Sequence, residues 1–344
     1  MPYRQVARAL LCCLGSLAQP VGAQDAPSQP LFARDEPLHL TLATDLRALL
    51  RDRGEEPDEY PATLRWTTPA GDTGSVDVEL RTRGIFRLKR CAFPPLRLDV
   101  PRSRVDGTPF AGQDKLKIVT HCRDGQLYEQ NLLHEYALYR IFNVLTDRSF
   151  RARLARVTYV DTVRADTTTR YAFLIEADEA VARRLGAEVL ENPTVHDLLI
   201  EAEHMTLVAV FQYLIGNTDW SVWGRHNIAI TRDPAGTLLA FPYDFDFAGV
   251  ISAPYATPAP QLNIRSVRER VYRGFCQPDS LLQSVLARFR AARESIYAAV
   301  RAVPDLEERE VRQTLEYFDR FYRTIDGPDA VRREFVRRCR RLPQ

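Results

Sequence analysis

Lysine is almost absent. The 344-residue chain has 47 Lys and Arg together, yet Lys89, Lys115 and Lys117 are its only lysines. Methionine is scarcer still, at two. No internal run is apolar for long enough to cross a bilayer, which excludes an internal transmembrane helix. No Cys-x-x-Cys pair or Cys/His spacing marks a zinc site. No Gly-x-Ser-x-Gly elbow is present, which argues against a Ser-His-Asp hydrolase, and there is no clear Gly-rich phosphate loop. Charge of one sign is also lacking, with 47 basic against 45 acidic residues. That balance argues against bulk nucleic-acid binding.

What is present begins with the N-terminus. Arg4 and Arg8 precede the apolar run 9–14, and Val21-Gly22-Ala23 offers small residues before Gln24. This pattern reads as a signal peptide over 1–23 cut after Ala23, and so as a secreted or periplasmic protein. Its removal takes two of the six Cys and leaves Cys91, Cys122, Cys276 and Cys339. An even number suits an oxidising compartment. The expected pairs are Cys91–Cys122, flanking neighbouring strand-like segments, and Cys276–Cys339, tying the ends of the C-terminal helical region.

Residues 24–36 are polar and Pro-containing, as in a disordered leader. From 38 to 177 alternating segments predict a mainly antiparallel sheet with one helix, and the lysines Lys115 and Lys117 share one strand face. The helix over 129–144 carries Glu129 and Glu135, either of which can pair with a strand lysine. A hairpin then ends at Glu176. From 178 onward the chain reads as helical, with a helix at 204–215 and three more at 279–302, 304–324 and 327–341. The basic segment Arg265, Arg268, Arg270, Arg273 reads as a solvated surface or as an anion groove. The expected division is 37–177 and 178–344.

Two stretches carry the chemistry. The first runs from Gly216 to Asn227 and contains Asp219, Arg225, His226 and Asn227. The second is Pro242 to Gly249, with Asp244 and Asp246 among aromatic residues. Taken as a strand, it places both carboxylates on one face. Two such charges about 6 Å apart repel by roughly 3 kcal/mol at an effective dielectric near 20. A proton, an Arg or Lys, or a divalent cation must offset that. The order Asp, Arg-His-Asn, then an aromatic-flanked Asp recurs in metal-dependent phosphoryl transfer.

The layout resembles the CotH-type atypical kinase-like family and, more distantly, the loops of HipA-type and phosphoinositide kinases. Asp219, Arg225-His226-Asn227 and Asp244 or Asp246 carry the likeness, with Arg83-Gly84, Lys115/Lys117, 129–144, Glu176 and 204–227 in matching order. The resemblance implies an α+β, two-lobed kinase-like fold, with an antiparallel-sheet N-lobe, a mostly helical C-lobe and ATP between them. It implies that Asp219 orients or deprotonates the nucleophile beside Arg225 and His226. Asn227 and Asp244 would hold Mg2+ or Mn2+, with Asp246 either supporting those ligands from behind or acting as a second ligand. Lys117 or Lys115 would hold phosphates, with Glu135 as partner and Glu176 beside the cofactor. The expected activity is an ATP-dependent phosphotransferase acting on an unknown protein or small-molecule acceptor, with no nucleic-acid partner. The alternatives are a non-catalytic binding protein and a metal-dependent hydrolase using Asp219, His226 and the Asp pair.

Overall fold

Seven strands alternate inward apolar and outward polar residues, as a half-buried sheet requires. They are β1 (Leu38–Thr44), β2 (Tyr60–Thr67), β3 (Thr73–Thr82), β4 (Leu96–Asp99), β5 (Lys115–Val119), β6 (Ala152–Asp161) and β7 (Thr167–Ile175) in a computed structural model, which describes residue 1, residues 30–191 and residues 194–341. Leu40, Leu64, Val78, Leu98, Leu116, Leu174 and Val157 all point into one core. The strand order is β1-β2-β3-β4-β5-β7-β6, and β1 also pairs in parallel with β6, so the sheet closes into a barrel.

That closure overturns the expected two-lobed kinase-like arrangement. The molecule is an α+β protein with a closed, mixed seven-stranded barrel and a separate three-stranded sheet. Alternation fixes which face of a strand is buried, whereas the β1–β6 pairing joins segments remote in sequence and leaves no local trace.

The helices are α1 (Leu46–Arg51), α2 (Phe86–Arg90), α3 (Gln126–Leu145), α4 (Asp178–Arg184), α5 (Ala202–Ile215), α6 (Asp279–Ala291), α7 (Arg293–Arg301), α8 (Glu308–Asp326) and α9 (Pro328–Val331). The small sheet joins β8 (Glu188–Val189), β9 (Ile228–Arg232) and β10 (Leu238–Pro242) in the order β10-β9-β8. A second core gathers α3, α5, the C-terminal helices and the outward residues Leu154 and Phe173 of the barrel. The helix that the sequence assigns to 37–177 thus packs with the helices that follow 178. The expected helix at 279–302 is two, meeting at Ala292, and the one at 327–341 is a short turn followed by a π-type turn at Arg332–Val336.

Residues 30–36 are not a free leader. Pro30–Phe32 form a 3-10 turn, and Leu31 and Phe32 are buried in the barrel core. Arg153 holds the segment through the Leu31 and Glu36 carbonyls at 3.2 and 2.6 Å. The signal-peptide reading of 1–23 and the rest of the leader, 24–29, concern segments outside the described residues apart from Met1.

Both expected disulfides form, Cys91–Cys122 and Cys276–Cys339, as an oxidising compartment favours. Among the described residues no helix is long and apolar enough to cross a membrane.

Candidate functional site

The two key stretches flank the β9–β10 hairpin and meet at both ends. Tyr243 N–H donates to the Asn227 carbonyl at 3.1 Å. Gly249 N–H donates to the Gly216 carbonyl at 3.1 Å. Gly216 ends α5 with φ 69°, and a Cβ there would lie 2.0 Å from the Tyr317 hydroxyl. Glycine is therefore required by both conformation and space.

Within the first stretch, the residues between Asp219 and Arg225 loop outward. Ser221 and His226 exchange backbone hydrogen bonds of 2.9 Å, closing the loop at its neck. That brings Asp219 beside His226 and Asn227. His226 Nε2 lies 2.9 Å from Asp219 Oδ1. Asn227 Nδ2 donates to the Asp219 carbonyl at 2.8 Å and to its Oδ2 at 3.1 Å. This arrangement leaves Asn227 Oδ1 as the atom able to meet a cation.

The second stretch is a turn beyond β10, not a strand. Asp244 has φ 59°, and its N–H donates to the Tyr139 hydroxyl at 3.0 Å. The two acids still reach the same partner, because Phe245 plugs the core and turns the chain around itself. That partner is Arg87 of α2. It bonds Glu135 at 3.0 and 3.4 Å, contacts Asp244, and brings Nε to 3.4 Å from Asp246. Its side chain is 8 % exposed.

One guanidinium thus faces three carboxylates. Burial opposes the charge of Arg87, but Asp244, Asp246 and Glu135 outweigh it and raise its pKa well above the usual value. Burial pushes Glu135 up to about 7 despite Arg87. Burial likewise drives Asp246 well above the carboxylate range, with Asp244 and Glu135 adding repulsion, although Arg87 and the Tyr255 hydroxyl favour its charge. The turn bearing Arg87 is braced from behind. Arg53 donates to the Leu88, Cys91 and Ala92 carbonyls at 2.6, 2.8 and 2.9 Å, and Cys91 is bridged to Cys122.

Arg87 is the site residue that sequence reasoning missed. In a chain so rich in Arg it lies in what reads as a basic loop. The available signal was Glu135, which falls among Leu132, Leu133, Tyr136 and Tyr139 on an apolar helix face and so demands a buried cation.

The expected lysine roles change accordingly. Glu135 pairs with Arg87 rather than with a strand lysine. Lys117 bonds Asp178 at 2.6 Å and lies over the rings of Tyr243 and Phe150. Lys115 is exposed on the strand's edge toward Asp99. Glu176 is buried against Arg184 at 3.0 and 2.8 Å and takes the Arg151 N–H at 3.1 Å. It supports the scaffold rather than lining the site. The basic segment is neither solvated surface nor anion groove at its inner members. Arg270 and Arg273 point inward and satisfy backbone carbonyls at the end of α5 and in the first stretch.

A cavity of about 330 Å³ opens onto Arg83, Gly84, Phe86, Arg87, Asp219, Arg225, His226, Asn227, Tyr243, Asp244 and Asp246. A neighbouring cavity of about 360 Å³ shares Arg225 and Tyr243. It is lined by Asp178, Glu179 and Glu191 together with Val189, Leu190 and Ile228. Arg225, Asn227 and Asp244 all have φ near +50 to +60°, a costly backbone region for an Arg. Such strain gathers at functional sites more than elsewhere.

The donor set fits a hard cation in part. Asp219 and Asp244 keep side chains 36 % and 35 % exposed, and Asn227 lines the same cavity. Asp246 is committed to Arg87 and Tyr255, so it is not available as a ligand without disrupting that cluster. Among the described residues no three His, Cys, Asp or Glu side chains form a metal cage. Magnesium is commonly held that way, by one or two carboxylates with phosphate oxygens and water. Comparison of the chain with protein-family models and with curated proteins returns no match, so the resemblance to CotH-type kinases rests on the residues above alone.

Proposed function

We propose that this protein transfers the terminal phosphoryl group of ATP to an acceptor hydroxyl, carboxylate or similar nucleophile. One observation carries the reading. Two accessible carboxylates, Asp219 and Asp244, share a cavity with Arg83 and Arg225, for which no carboxylate ion pair is found among the described residues. That mixture of signs suits a polyphosphate with its counter-cation better than it suits either a simple anion or a bare metal.

Arg225 and Arg83 bind phosphate oxygens, and Arg225 and Tyr243 bridge to the neighbouring cavity, where the Tyr243 ring and the half-buried Val189 and Leu190 meet the base. Lys117, beside Tyr243, is already neutralised by Asp178 and is left out of the phosphate-binding set. Asp219 orients the acceptor and takes its proton as the new P–O bond forms and the bond to the leaving ADP breaks. His226, hydrogen-bonded to Asp219, fixes the orientation of that carboxylate. Asp244 and Asn227 would hold Mg2+ or Mn2+, which supplies charge neutralisation on the phosphates.

The test is calorimetric titration of ATP, with and without Mg2+ or Mn2+, into wild type, Asp244→Asn and Asp219→Asn, followed by transfer assays with labelled ATP. Metal-dependent binding weakened by Asp244→Asn, with transfer lost in Asp219→Asn, supports the reading. No binding by folded wild type under either metal overturns it. A second reading, nucleotide binding without transfer, is favoured by the contact of Asp244 with Arg87, which occupies one of its oxygens. Binding with no labelled product from any acceptor selects it.

A further inference from the structure

The loop that carries Asp219 is braced from behind by Arg273, which does not line the cavity. Arg273 donates to the Thr218 and Trp220 carbonyls, the latter at 2.6 Å, and so grips the backbone on both sides of Asp219. Its guanidinium also lies 5.4 Å from the Trp220 ring. No carboxylate lies within ion-pair distance of Arg273 among the described residues, so the two carbonyls are its direct hydrogen-bond partners, with Asp197 and Asp219 favouring its charge from farther away.

A second line of contact runs in parallel. Trp223, at the tip of the same loop, rests on His196 with centroids 6.2 Å apart, and His196 rests on Phe275 at 4.9 Å. Both lines end in the segment Tyr272–Cys276. That segment is fastened to the C-terminus in three ways. Cys276 N–H donates to the Arg340 carbonyl at 3.0 Å, and Arg340 N–H donates to the Gly274 carbonyl at 2.9 Å. Arg340 also covers Phe275 at 4.4 Å while pairing with buried Asp197 at 3.2 Å. The third fastening is the Cys276–Cys339 disulfide. The two disulfides differ in access: Cys91 and Cys122 are buried, whereas Cys276 is exposed and Cys339 half-buried.

We infer that Arg273 is a positioning residue for Asp219, and that the exposed Cys276–Cys339 disulfide makes this positioning sensitive to reduction. An external dithiol delivers two electrons and two protons to the Cys276–Cys339 bond, leaving two thiols and becoming a disulfide itself. The freed C-terminal turn then loosens Tyr272–Cys276, and with it the hold of Arg273 on Thr218 and Trp220. The inference rests on the phosphotransferase reading only for its kinetic consequence; the mechanical coupling stands apart from it.

Hydrogen exchange followed by mass spectrometry tests the coupling without any substrate. Arg273→Met and Cys276→Ser/Cys339→Ser are compared with wild type before and after mild dithiothreitol, with thiol alkylation reporting which disulfide has opened. Exchange over 217–227 is expected to rise at least about tenfold in both variants and on selective reduction, while the α5 interior and the barrel stay protected. Unchanged exchange in 217–227, or an equal rise across the whole helical region, overturns the inference. The kinetic arm adds ATP titration and turnover. In Arg273→Met, affinity for Mg·ATP is expected to hold within about threefold while turnover falls at least about tenfold, with partial recovery in Arg273→Lys. Turnover equal to wild type in Arg273→Met overturns the positioning role. If wild type itself neither binds nor turns over ATP, the phosphotransferase reading fails and exchange alone decides the brace.

Discussion

Replacing Arg87 by Met removes the guanidinium that contacts Glu135, Asp246 and Asp244. Breaking a buried ion pair from one side costs about 3–5 kcal/mol, because the remaining charge is left unpaired. The acids can escape that cost by taking up protons. From ordinary values of 4.5 for Glu and 3.8 for Asp, neutralising Glu135 and Asp246 costs about 2 kcal/mol together at pH 5 but roughly 10 at pH 8. Protonation is therefore an open exit at pH 5 and closed at pH 8. The sign follows: folded-state pKa values that rise further in the variant mean stability lost as pH climbs. Arg87→Met should be about 3–5 kcal/mol less stable than wild type at pH 8 and no more than about 2 less stable at pH 5. Urea unfolding monitored by the fluorescence of Trp66, Trp220 and Trp223 at both pH values measures this directly. A penalty below about 1 kcal/mol at pH 8, or one equal at both pH values, refutes the reasoning, since either would mean that Arg87 is not what neutralises these acids.

Four further outcomes can be checked together. Asp219→Asn should change stability by less than about 1 kcal/mol, because the carboxylate is partly exposed, yet lower ATP-dependent transfer at least about a hundredfold in the labelled-ATP assay. Gly216→Ala should cost about 2–5 kcal/mol in urea unfolding, from left-handed backbone strain plus the clash with Tyr317. Gly236→Ala, with φ 86° but open space around it, should cost only about 1–2. Burial lowers the pKa of His204 from 6.5 to about 4. The unfolded chain therefore binds the extra proton first, and stability falls as pH drops from 6.5 toward 4. His204→Gln should flatten that acid limb by up to about 1.4 kcal/mol per pH unit in unfolding titrations.

How much of this was legible depends on range in sequence. Strand positions were readable because Leu38, Leu40 and Leu42 alternate with polar neighbours, and helix α5 because Leu207, Val210, Phe211 and Leu214 recur at helical spacing. The disulfide pairs followed from their flanking segments. The barrel was not readable, since parallel contact between β1 and β6 depends on a pairing that neither strand advertises. In the site, Asp219, His226 and Asn227 could be grouped because a hydrogen-bonded loop brings close residues together. The strand assigned to 242–249 was wrong, yet both Asp side chains still converge, through a turn around Phe245 rather than by alternation. Arg87 was missed and Arg273 was read as part of a basic surface for a common reason. Each is one Arg among many, and only the buried groups it satisfies distinguish it.

The closing contact of the barrel also orders events in time. Arg153 reaches the Glu36 carbonyl across 117 residues, and β1 beside it cannot pair on its second edge until β6 has been made. Until then one face of Leu38–Thr44 presents unpaired N–H and C=O groups, a template for adding strands from other chains. Contacts of such long separation form slowly, because the loop entropy must be met before any pairing rewards it. The barrel is therefore the part of this protein most exposed to misassembly during synthesis. Chains released before Ala152 should therefore aggregate through β1, whereas chains that extend past Asp161 should lose that tendency as β6 covers the edge.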